Sequence, residues 1–124
     1  MSSILISINP EYVDKIFDGC KKYEYRKVKC KKAVDKMVIY CTSPVMKVVG
    51  EAIIEEIIDE TPEKVWDITK NASGVCKDFF DKYYMNKNAA IAYKLKNVVK
   101  YNIPKELSDY GIKIAPQSYV YLDD

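Results

Sequence analysis

Three residues that can do chemistry stand close together near the start of the chain: Lys21, Glu24 and Arg26. The alternating run from Tyr23 to Lys29 reads as a strand, which puts Glu24 and Arg26 on one face and Tyr23 and Tyr25 on the other. Gly19 is placed to end a preceding helix in the left-handed conformation, and the turn after it then presents Lys21 at the mouth of a cleft. Two chemistries suit the set. Lys21 and Arg26 can hold a phosphate or the polar edge of a base, with Glu24 orienting Arg26 or accepting from an exocyclic amine. Alternatively, a lysine of lowered pKa activates water or a hydroxyl while Glu24 shuttles the proton. A structural role competes with both, in which Glu24 and Arg26 form an ion pair that orders the rim of the sheet.

Other residue types narrow the choice. The sequence contains no His, which excludes Ser-His-Asp and Cys-His nucleophiles, His-ligated iron and HExxH hydrolysis. The cysteines Cys20, Cys30, Cys41 and Cys76 form no Cys-x-x-Cys hook, so they read as reduced thiols rather than zinc ligands. Cys20 lies between helix end and lysines, but a helix C-terminus disfavours a thiolate. No metal and no cofactor is expected.

The elements that must position these residues follow from local pattern. Ile4 to Ile8 is a short apolar run, read as a buried strand. Asn9-Pro10 is a helix start, Val13, Ile16 and Phe17 share one helical face, and Gly19 stops it. Met37 to Cys41 and Lys47 to Ile58 are Val- and Ile-rich strands around a turn at Thr42-Ser43-Pro44, the second broken by a bend near Gly50. Thr61-Pro62-Glu63 starts another helix, Ser73-Gly74 breaks it, and Val75 to Met85 forms a third, with Phe79, Phe80 and Tyr83 docking on the sheet. Ala89 to Tyr101 alternates as a strand, Pro104 to Tyr110 holds at most one helical turn, and Ser118 to Leu122 closes the set. The fold class expected is α+β: a small, mostly antiparallel β-barrel with about three flanking helices, in a single domain spanning 1–124.

At 124 residues, 48 % apolar and 31 % charged, the chain suits a compact domain and excludes low-complexity and disordered classes. Its net charge of +2 conceals blocks: eight basic residues against Glu24 and Asp35 between 21 and 36, then nine acids against three lysines between 51 and 81. A basic run interleaved with Tyr23 and Tyr25 is what a groove for phosphates and stacked bases needs. The modest total argues against a strong, sequence-blind duplex binder. No apolar run approaches a membrane span and no basic leader precedes the first apolar run, so a cytoplasmic protein without a membrane partner is expected.

The run Gly19-Cys20-Lys21-Lys22-Tyr23-Glu24-Tyr25-Arg26 matches Gly-x-Lys-x-x-Glu-x-Arg and resembles the signature of ASCH (activating signal cointegrator homology) domains, members of the PUA-like superfamily. Ser7-Ile8-Asn9-Pro10-Glu11-Tyr12 and Pro116-Gln117-Ser118-Tyr119 also resemble stretches of small prokaryotic members, and Asn9 departs from the basic residue frequent there. The resemblance implies a barrel whose cleft floor carries the signature, and a role around RNA. One similar branch comprises amidohydrolases that deacetylate acetylated cytidine with a Lys, a Thr and a Glu; another is ribonucleolytic. Carried over, the lysine falls on Lys21 and the threonine on Glu24, which removes the hydroxyl nucleophile. The acid falls among Glu51, Glu55, Glu56 and Glu63, of which Glu51, next to Gly50, is the choice.

The leading expectation is therefore an RNA- or nucleotide-binding module. Its binding residues are Lys21, Lys22, Tyr23, Glu24, Tyr25, Arg26, Lys27, Lys29, Ser118 and Tyr119, with the three tyrosines as stacking platforms. The alternatives are a hydrolase of acetylated cytidine or a metal-independent ribonuclease, with Lys21, Glu24 and Glu51 as the catalytic set, and a small regulatory domain that binds a protein through its acidic middle.

Overall fold

The computed structural model describes residues 2–122, so Met1, Asp123 and Asp124 of the expected 1–124 unit lie outside the described residues. The strands are β1 (Ser3–Ile8), β2 (Tyr23–Arg26), β3 (Lys36–Cys41), β4 (Lys47–Glu60), β5 (Ala90–Lys105) and β6 (Tyr119–Leu122). The helices are α1 (Pro10–Asp18), α2 (Pro62–Thr69) and α3 (Lys77–Tyr83). The strands form one six-stranded sheet in the order β2-β5-β4-β3-β1-β6. β1 and β3 run parallel, and the other four pairings are antiparallel. The sheet curls into a half-barrel of PUA-like α+β type, as expected, with β2 and β6 as its two free edges.

β1 is apolar throughout because both of its faces are covered. Ile4, Ile6 and Ile8 meet Val13 and Ile16 of α1 on one side, while Leu5 joins Val38, Tyr40 and Val48 on the other. Helix α1 begins at Pro10 and ends at Gly19, whose φ of 91° is the left-handed conformation expected of it. The expected Asn9 side-chain cap does not form. The backbone carbonyl of Asn9 accepts from Tyr12 and Val13, and its side-chain oxygen accepts instead from the Thr42 hydroxyl at 3.3 Å. At α2 the expected cap is present, Thr61 accepting from the Lys64 amide.

Three local expectations change. The strand expected from Tyr23 to Lys29 ends at Arg26, so Lys27 and Lys29 fall in the loop that follows. Near Gly50, β4 does not break but continues for 14 residues with shifts of register. Gly50 serves close approach: a Cβ there would sit 2.4 Å from the Val99 carbonyl and 2.7 Å from the Phe17 ring. In α3, Phe80 docks on the sheet beside Tyr25, Ile58 and Val65, but Phe79 remains 43 % exposed and turns elsewhere.

Candidate functional site

A cleft of about 420 Å³ lies where the half-barrel fails to close, between β2 on one side and β1 with the segment before β6 on the other. That volume is in the range of small-ligand sites. Lys21, Glu24, Tyr25 and Arg26 line it together with Ser7, Ile8, Asn9, Thr42, Pro116 and Gln117. Tyr12, Val75, Phe79 and Tyr83 complete its wall.

Lys21 is not at the mouth, as its place after a helix stop suggested, but on the floor, 3 % exposed. Its amine donates to the Ser73 carbonyl at 2.8 Å and lies 4.6 Å from the centre of the Tyr25 ring and 5.5 Å from that of Tyr12. Gly74 makes room for its stem: a Cβ there would meet the Lys21 Cβ at 2.6 Å, and the φ of +71° is itself left-handed. Burial, which penalises the ammonium, lowers the Lys21 pKa to about 8; Glu24 opposes the shift, and Lys15 and Arg26 add to it.

Glu24 is 6 % exposed. Its Oε2 accepts from Arg26 Nε at 3.1 Å and pairs with Nη2 at 2.8 Å. Both contacts use one oxygen, and Oε1 accepts no hydrogen bond among the described residues. Arg26 also donates from Nη2 to the Ser7 carbonyl at 2.8 Å and from Nη1 to the Ser118 hydroxyl at 3.4 Å. No backbone ladder joins β2 to β1 or β6 among the described residues, so the Arg26 side chain stitches the seam. Tyr25 is buried, with Lys21 over its ring and Phe80 and Tyr84 edge-on to it. Its hydroxyl donates to Thr69 Oγ1 at 2.6 Å, because that hydroxyl already donates to the Val65 carbonyl. Burial pushes the Tyr25 phenol up to about 12.

The expected binding residues thus separate. Lys21, Glu24, Tyr25 and Arg26 share the cleft, and Ser118 touches it through Arg26. Tyr25 offers no open platform for a base, since it is buried and the Lys21 amine lies over its ring. Tyr23 faces a different groove, with Ile68 and Lys94. Tyr119 packs edge-on against Tyr121, outside the cleft lining. Lys22, Lys27 and Lys29 are exposed, and Lys27 reaches the cleft rim through the Tyr83 ring at 4.7 Å. Glu51 is removed from the site: it accepts from Tyr101 at 2.7 Å, pairs with Lys36 at 3.2 Å and lines no part of the cleft. The acid in the cleft is Glu24. Beside Cys20, the Asp18 carboxylate pushes the thiol up, away from a nucleophilic thiolate.

The aromatic wall was the part not anticipated. Tyr12 and Phe79 approach with ring centres at 5.8 Å, and Phe79 and Tyr83 stack nearly parallel at 6.1 Å. The stretches 7–12 and 116–119 held the available signal, since both contribute cleft residues. The helix carrying Phe79 and Tyr83 offered none, because a Phe-Phe pair on a helix reads as core.

This half-barrel, with helices over one seam, is the fold of ASCH domains. The chain superposes on the ASCH protein of Zymomonas mobilis with a TM-score of 0.87 at 25 % identity, covering 98 % of this chain and 87 % of that one. A tyrosine-to-phenylalanine variant of that protein superposes at 0.88, with 23 % identity over 99 % of this chain and 91 % of that one. The chain belongs to the family described as domain of unknown function DUF365, whose family model matches residues 1–121. Among curated proteins it is similar to the large ribosomal subunit protein uL22 of Ureaplasma parvum, 32 % identical over 97 % of this chain and 39 % of that protein. It is also similar to the ATP synthase subunit alpha of the same species, 31 % identical over 97 % of this chain and 15 % of that protein. The chain therefore spans well under half the length of these curated relatives.

Among the described residues, no helix is long and apolar enough to cross a membrane, and no group of three or more His, Cys, Asp or Glu is placed to hold a metal ion.

Proposed function

We propose that the cleft receives one base of single-stranded RNA, or the base of a nucleotide, while the loop after β2 takes the backbone phosphates. The observation that carries this reading is a nucleoside-sized cavity with an aromatic wall and a buried amine and carboxylate on its floor. Phe79, Tyr12 and Tyr83 supply the stacking face expected of Tyr23, Tyr25 and Tyr119. Glu24 Oε1 accepts from an exocyclic amine, and Lys21 donates to a ring nitrogen or carbonyl. The loop leaves the cleft at Arg26 and carries Lys27, Lys29, Lys31 and Lys32, none of which forms an ion pair among the described residues. Two relatives with unrelated names carry a segment similar to this chain, which supports a module that recurs in different protein contexts.

Titration of a labelled single-stranded RNA across a salt series tests the reading. Each phosphate contact contributes a slope of about −0.7 in log affinity against log salt, so three or four contacts give roughly −2 to −3. Replacing Lys27, Lys29, Lys31 and Lys32 together flattens the slope. Absence of binding at low salt returns the basic loop to a solvated surface.

The depressed Lys21 pKa favours one second reading, a hydrolase in which the neutral amine of Lys21 activates water against an amide on a modified base such as acetylated cytidine. Glu24 stands where that branch's threonine is expected, so the attack would come from water rather than a side-chain hydroxyl. Turnover of acetylated cytidine by the wild-type protein, abolished in Lys21→Met, supports it; no turnover removes it.

A further inference from the structure

Lys21 and Glu24 line one cavity, both are buried, and they carry opposite charges, yet they form no ion pair. Opposite charges buried in one cavity ordinarily meet, because an unmatched charge away from water is costly. The reason they do not is Arg26. Its Nε and Nη2 both bind Glu24 Oε2, and Nη2 is fixed in turn by the Ser7 carbonyl and Nη1 by Ser118. A guanidinium anchored at two points besides the carboxylate cannot follow it toward the lysine, so the carboxylate stays with it. On the other side, Gly74 and the Ser73 carbonyl fix the lysine.

We propose that Arg26 is a positioning residue that withholds Glu24 from Lys21, so that the cleft retains an amine without a carboxylate partner. The proposal rests on the cleft being the functional site, and not on which ligand fills it. It reassigns Arg26 from phosphate holder to the group that sets the protonation of its neighbour.

The surroundings of Lys21 agree. From α1 it faces Tyr12 and the cation Lys15, which is itself tied to the Gly74 carbonyl at 3.0 Å. From β2 it faces Tyr25, Glu24 and Arg26, and from the turn after α2 it meets the Ser73 carbonyl. Two cations thus act against the ammonium and a single carboxylate acts for it, with that carboxylate held by one of the cations. The Arg26 effect has two parts, its own charge and its hold on Glu24, and the second part is the proposal.

A lysine titration separates them. In protein labelled with carbon-13 at lysine, the Cε shift of Lys21, assigned from Lys21→Arg, reports its midpoint without any ligand. Wild type is expected near pH 8. Arg26→Gln releases Glu24 toward the amine and moves the midpoint up by about one pH unit or more. Arg26→Gln combined with Glu24→Gln brings it back down toward the wild-type value. Glu24→Gln alone moves it slightly down, and this single variant keeps the seam arginine if the others fail to fold. An Arg26 that serves stability alone leaves Glu24→Gln with the same small downward shift in the presence and in the absence of Arg26, and that result overturns the proposal. So does an unshifted Arg26→Gln, or an upward shift in Glu24→Gln. Because no ligand is present, these failures are distinct from a failure to bind RNA.

Discussion

Glu24 and Glu51 are two carboxylates on one sheet in opposite circumstances. Glu51 uses both oxygens, Oε1 for the Tyr101 hydroxyl and Oε2 for Lys36, at a surface where each ion-pair side chain is 28 % exposed. Burial pushes its pKa up, but the Tyr101 hydrogen bond and Lys36 outweigh that and hold it below the ordinary carboxylate value. Glu24 spends one oxygen twice on Arg26, and the buried lysine beside it has no carboxylate. At Glu51 the charges match where solvent would forgive a mismatch. At the cleft they do not match where burial makes a mismatch expensive. Incomplete pairing in the dry region, rather than the presence of charge, marks the candidate site.

The comparison breaks most visibly on removal of the basic partner. Arg26→Ala removes the buried partner of Glu24 and cuts the contacts across the seam, for a loss of up to about 3–5 kcal/mol in urea unfolding, less what Glu24 recovers by turning to Lys21. Lys36→Ala removes an equally real but half-exposed pair and costs about 1 kcal/mol or less. Equal losses would show that burial does not separate the two regions.

The unmatched lysine gives the second test, with the opposite sign. The unfolded chain keeps the Lys21 proton to about 10.5 and the folded chain only to about 8, a difference of about 3 kcal/mol against folding when the amine is charged. That penalty is complete below pH 8 and fades as pH rises to 10.5, because folding in this window releases a proton. Lys21→Met therefore raises stability at pH 7 by up to about 3 kcal/mol, and its advantage over wild type shrinks toward pH 10.5. It also abolishes ligand binding, the usual exchange of function for stability. A destabilised Lys21→Met at pH 7 contradicts the unmatched charge.

A third test uses the wall. Phe79→Ala lowers affinity for a single-stranded RNA by about 1–3 kcal/mol if Phe79 stacks a base, while Tyr23→Ala, in the separate groove, leaves affinity alone. Comparable losses would return the stacking role to the strand.

What the residues disclosed, and what they hid, follows from the range of each signal. Helix starts at Pro10 and Pro62, the stop at Gly19 and the alternation of β5 are local, and local chemistry determines them. The grouping of Lys21, Glu24 and Arg26 was also legible, since residues two and three apart stay neighbours on a strand and its lead-in. The partners of those residues were not. Ser73 and Gly74 meet Lys21 from some fifty positions away, and Ser118 meets Arg26 from 92. Glu51 misled because a glutamate after a glycine in a strand has no local mark of which face or which end of the sheet it serves.

The smallest expected effect bears on that residue directly. Glu51→Gln keeps the shape and the Tyr101 contact but removes the charge that meets Lys36, so stability falls by about 1 kcal/mol or less at neutral pH. Its folded-state pKa is depressed, so the stabilisation is present above the unfolded value and lost as pH falls through the folded one. The wild-type and Glu51→Gln proteins should therefore differ in melting temperature at pH 7 and converge in acid, below the ordinary carboxylate range. RNA affinity should be unchanged, because Glu51 lines no part of the cleft. Glu24→Gln should do the reverse and lose affinity through Oε1, which a carboxamide replaces less well opposite an exocyclic amine. A Glu51→Gln variant that lost affinity while retaining its fold would place the acid of the site on β4 and exchange the roles of the two carboxylates.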